Sequence, residues 1–72
     1  MKKTYTVLYE SGYDVTTGHS SYSAAKVLRH EKEAFAFVKD EKNIRQYGEM
    51  SLEKRESGHT FTWDFVREEW VS

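Results

Sequence analysis

The sequence predicts a small single α+β domain, a ββαββ chain whose four-stranded antiparallel sheet carries one helix packed on one face. Three observations lead there. Residues 2–10 and 60–65 alternate at the strand period, the middle segment 22–43 lacks Gly and Pro and carries a helical apolar arc, and Gly-bearing turn segments follow two of the strands. The runner-up is βαββ, with one long helix from about Ser23. For 72 residues, area scaling gives one domain, 1–72, exposing about 4,600 Å² and burying about 60% of the open chain's surface.

Taken in order, residues 2–10 set Tyr5, Val7 and Tyr9 on one parity with Thr4 and Thr6 between them, a first strand. Residues 11–21 mix Ser, Gly, Asp and Thr, with Gly12 and Gly18 able to take positive φ, and predict a long hairpin loop. Residues 22–43 admit two readings. In one, 22–29 is a second strand and a helix begins near Glu31, with Glu31 and Glu33 in its first turn, Lys39 and Lys42 in its last, and Asn43 as a left-handed cap. In the other, Ser23 caps a single helix whose face is Ala24, Val27, Leu28, Ala34, Phe35 and Val38. The first is preferred, because the macrodipole gives acids at 31 and 33 a role only at a helix start. Both readings put Ala34, Phe35, Phe37 and Val38 on one arc facing a sheet.

Ile44, Met50 and Leu52 share a parity in a third strand, and Glu56-Ser57-Gly58-His59 reads as a tight hairpin turn into a fourth. There Phe61, Trp63 and Phe65 share one face while Thr60, Thr62 and Asp64 share the other. After Phe65 the alternation fails, and a helical turn or irregular tail is expected around Val66 and Trp70. Glu10-Ser11-Gly12-Tyr13 echoes Glu56-Ser57-Gly58-His59, but Ser-Gly is common turn chemistry and no function rests on the match.

Composition narrows the function classes. Without cysteine there are no disulfides, thiolate nucleophiles or sulfur metal sites, and a cytoplasmic location is expected. Met-Lys-Lys leads into alternation rather than an apolar signal core, no stretch approaches the roughly 18 apolar residues of a span, and no membrane partner is expected. Net charge is −1 overall but +2 over residues 1–30 and −3 over 49–72. That split falls short of a nucleic acid binder's basic footprint.

No catalytic group, cofactor or metal is expected, and the chain is read as a non-enzyme. Ser23-Ala24-Ala25-Lys26 resembles the S-x-x-K spacing of penicillin-binding-type acyl-enzymes, but neither S-D-N nor K-T-G accompanies it. His19, His30 and His59 lack the i, i+2 or i, i+4 spacing that places two metal ligands on one element. The pairs Asp40-Glu41 and Glu68-Glu69 are adjacent residues that diverge in direction, and the four glycines form no phosphate cradle.

Eleven aromatic residues, more than so small a core is expected to hide, point instead to an aromatic surface. Tyr13, Tyr22, Arg45, Tyr47, Arg67 and Trp70 are the expected partner-binding residues, since Tyr, Trp and Arg anchor protein interfaces. The expected function is that of a small non-enzymatic protein-binding module or inhibitor, acting on another protein or by self-association. In format it resembles accessory proteins of phages and mobile elements, including anti-defence proteins. The alternative is single-stranded nucleic acid binding, with Tyr5, Tyr9, Trp63 and Phe65 as a sheet-face stacking platform.

Overall fold

The computed structural model describes residues 3–72, so the expected strand start at Lys2 lies outside the described residues. The chain runs β1 (Lys3–Asp14), β2 (His19–Leu28), α1 (Glu31–Lys39), α2 (Glu41–Tyr47), β3 (Met50–Glu56), β4 (His59–Asp64) and β5 (Glu69–Val71). One sheet has the order β2-β1-β3-β4-β5, and every neighbouring pair is antiparallel. The α+β class holds, with five strands instead of four and two helices instead of one.

Register decides what lies under the helices. Tyr5, Val7 and Tyr9 stand opposite Lys54, Leu52 and Met50, and Lys54 stands opposite Phe61. These residues therefore share a face, and onto it α1 lays Ala34 and Val38. Tyr5, Val7, Ala34, Val38, Met50 and Leu52 form the buried core, with Phe35 and Phe37 packed at its margin. The four-residue arc expected of the helix is thus the one that meets the sheet.

The long-helix alternative from Ser23 is overturned, because residues 22–28 pair with β1 from Glu10↔Tyr22 to Tyr5↔Leu28. β1 also runs further than expected. Its last five residues and the start of β2 form a two-stranded ribbon, and the loop shrinks to residues 15–18. Gly12 belongs to a strand: register shifts at Glu10/Gly12 and Val7/Leu8 leave Ser11 and Ala25 as extra residues, two bulges that the polar composition of 11–21 disguised as loop. Because β3 pairs with β1 only as far as Tyr9, the ribbon projects beyond the body. Hence the exposed area is 5636 Å² and the longest extent 41 Å, more open than area scaling implies.

The helical segment breaks at Asp40, whose φ −70°, ψ 122° is extended. Its Oδ1 accepts a hydrogen bond from the Lys42 amide at 2.9 Å and so starts α2. Asn43, expected as a left-handed cap, instead donates its side-chain amide to the Phe37 carbonyl (3.0 Å), satisfying the end of α1. The left-handed position falls to Gly48, φ 77°. Ile44, expected in a strand, sits in α2 and is 46% exposed.

The turn at Glu56-Ser57-Gly58-His59 is as expected: Glu56 pairs with His59, and both central residues have positive φ (52° and 79°). The internal echo does not survive, since its first copy is a bulged strand and its second a turn. A different repeat exists. Asp14 and Asp64 each open a four-residue turn, each accepts an amide two residues on through Oδ1 at 2.9 Å (Thr16 and Val66), and each carbonyl accepts the amide four residues on at 2.8 Å (Gly18 and Glu68). Each turn ends in the left-handed region, at φ 75° in Gly18 and 56° in Glu68. The second turn reverses the chain into β5, where a helical turn or tail was expected.

Candidate protein-binding groove

Seven of the eleven aromatics pack against the core, so the helices hide more than composition implied. Trp70 on β5 stacks edge-on against Trp63 (5.2 Å) and lies 6.0 Å from Tyr5 and 6.2 Å from Phe35. Its indole N–H donates to Glu31 Oε1 on α1 at 3.0 Å. Lys54 Nζ covers this cluster, 4.7 Å from the Trp70 ring and 5.0 Å from that of Phe61. Tyr47 closes the other end against Tyr9 (4.8 Å) and Phe37 (6.2 Å).

The six expected partner-binding residues are therefore not gathered at one place. Trp70 and Tyr47, expected away from the core, are packed on its margin, because β5 and α2 were both absent from the expected architecture. Arg45 is exposed and paired with Glu41 at 3.6 Å; Arg67 pairs with Asp64 and Glu69, each at 3.9 Å. Tyr13 and Tyr22 are exposed on the projecting ribbon. The stacking platform is likewise dispersed: Tyr5 is buried, Tyr9 and Trp63 lie under the helices, and Phe65 stands in the β4–β5 turn. The face away from the helices instead offers Thr4, Thr6, Thr60, Glu53 and Arg55 around a shallow cleft.

An adjoining surface, sharing Leu8 and Glu53 with that cleft, converges on Phe65, which is 48% exposed. Asp64 fixes its turn by accepting the Val66 and Arg67 amides on Oδ1 at 2.9 and 3.1 Å. On one side of Phe65 lies a cleft of about 680 Å³ lined by Val38, Lys39, Ile44, Gly48 and Met50. On the other lies one of about 580 Å³ lined by Leu8, Glu10, Tyr22, Glu53 and Trp63. Glu49, Met50 and Phe65 line both, so the two clefts adjoin at the Phe65 ring, and together they make the candidate groove.

Chemically, the groove is apolar at Phe65 and acidic along one limb. Ile44 and Phe65 present exposed apolar surface, while Glu10, Glu49 and Glu53 have no ion-pair partner among the described residues. Lys39 stands at the opposite end. Among the described residues no group of three or more His, Asp or Glu side chains is placed to hold a metal, and no helix is long and apolar enough to cross a membrane. Ser23 and Lys26 lie in a strand, where three residues rise about 10 Å rather than one helical turn.

Sequence reading did not single out Ile44 or Glu49, because parity assigned Ile44 to a strand, and it named Phe65 only as part of a sheet-face stacking platform. The one signal that marks Phe65 is the Asp64 turn, which repeats the Asp14 turn without its glycine. No family model, curated protein or solved structure matches this chain.

Proposed function

We propose that this protein is a non-enzymatic binding module that receives a segment of another protein in the groove around Phe65 and acts by occupying that surface. The observation that carries this reading is the exposure of Phe65 and Glu49 where two clefts adjoin, with exposed Ile44 in one cleft and the carboxylates Glu10 and Glu53, without ion-pair partners among the described residues, in the other. Apolar anchors supply affinity on leaving water, and rim charges select a partner of opposite sign. The ligand class is therefore an extended segment with an apolar or aromatic anchor and a Lys or Arg a few residues away. An inhibitor works this way when the occupied surface is one its target needs.

The nucleic-acid alternative has no comparable support, because three of its four platform rings lie under the helices and carboxylates line the groove that remains. The test is selection of peptides from a random display library. The expected consensus pairs an apolar anchor with a basic residue. Phe65→Ala should weaken the selected peptide at least about tenfold, and Glu49→Gln should weaken it less and flatten its salt dependence. Peptides without basic residues, or binding that survives Phe65→Ala, would refute the reading.

A further inference from the structure

We infer that the outer edge of β2 is a pairing edge for a second copy of this chain, the two copies joined antiparallel about Tyr22. β2 ends the sheet, so among the described residues one side of its backbone has no strand neighbour. Edge strands are ordinarily protected from pairing by shortness, charge, proline or bulges. The opposite edge, β5, has these defences, being three residues long and bearing Glu69. Residues 19–25 of β2 have neither a formal charge nor a proline, and the bulge at Ala25 comes only at their end.

The centre of this neutral run is Tyr22, 60% exposed on the projecting ribbon. An antiparallel pair centred there sets Ser20 opposite Ala24, His19 opposite Ala25, and Tyr22 opposite its own counterpart, so no like charges meet along the paired run. Just past the bulge at Ala25, Lys26 of each copy comes near the Asp14 turn of the other, an attraction of opposite charges at both ends of the paired run. The contact is isologous and closes on itself, giving a dimer instead of a fibre. Its strand-to-strand form follows the general mode of edge augmentation. It touches the groove only through Tyr22, which also lines the cleft beside Phe65, and leaves Phe65, Ile44 and Glu49 outside the pairing edge.

The test is sedimentation equilibrium from about 10 µM to about 1 mM, the range of a small interface. The wild-type chain should dimerise within it. Tyr22→Lys and Tyr22→Glu each place like charges on the two-fold axis and should be monomeric alone, whereas their equimolar mixture should recover the dimer. Phe65→Ala should still dimerise. A wild-type monomer throughout, a Tyr22→Lys dimer, or a mixture that stays monomeric would each overturn the inference. Because Tyr22 is exposed, its variants should keep the wild-type circular dichroism spectrum, so that loss of the dimer is read on a folded chain.

Discussion

Trp70→Ala should strongly destabilise the fold, although the residue is third from the chain's last. The half-buried ring sits against Tyr5, Phe35 and Trp63, and an aromatic side chain of this kind removes about 150 Å² from water. At about 25 cal/mol per Å² this is near 4 kcal/mol, and the alanine methyl and partial exposure reduce it to about 3 kcal/mol. A 72-residue domain has about 4 to 11 kcal/mol in all, so about a quarter to three quarters of it disappears. At 4 to 8 °C per kcal/mol, Tm should fall by about 12 to 24 °C in a thermal melt, with a matching drop in the urea midpoint. Trp70→Phe, which keeps a ring but loses the bond to Glu31, should cost about 1 kcal/mol. A Tm within about 4 °C of wild type for Trp70→Ala would refute a structural role for its packing on Tyr5, Phe35 and Trp63 and return Trp70 to the surface role expected from the sequence.

Glu68 is a non-glycine residue at φ 56°, so Glu68→Gly should stabilise the chain by about 1 kcal/mol, seen as a higher urea midpoint at unchanged m-value. Gly58→Ala should do the reverse by a similar amount: a methyl there meets nothing within 4 Å, but φ 79° strains it. Burial holds the Tyr5 hydroxyl above its ordinary pKa of 10.0, Glu31 adds to this, and Lys3 opposes it. A raised folded pKa means that the native state keeps the proton longer. The resulting stability is therefore complete below pH 10 and is lost as pH rises through the folded value. Urea midpoints between about pH 8 and 11.5 should fall less steeply in Tyr5→Phe than in wild type.

Much of the fold was legible because its signals are local. The parity of Tyr5, Val7 and Tyr9, the acids at 31 and 33, and Ser57-Gly58 each fix a conformation within a few residues. What was not legible depends on partners distant in sequence. Trp70 reads as a tail residue until Trp63 and Glu31 are seen beside it, 7 and 39 positions away. Lys54 lies on the core side of β3, where alternation would call for an apolar residue; its stem and charge are satisfied by the rings of Phe61 and Trp70. The ribbon was hidden because bulged, polar strand residues have loop composition. The groove was hidden because Ile44 and Phe65 come together only after the Asp40 break and the Asp64 turn have placed them.

The most direct test of the proposed binding groove is an amide chemical-shift titration of the labelled protein with a display-selected peptide that pairs an apolar anchor with a basic residue. The predicted result is saturable shifts concentrated at residues 44, 48–50 and 64–66, absent in Phe65→Ala. Shifts confined to the threonine face around Thr4, Thr6 and Thr60, or to the distal ribbon at 12–20, would contradict it.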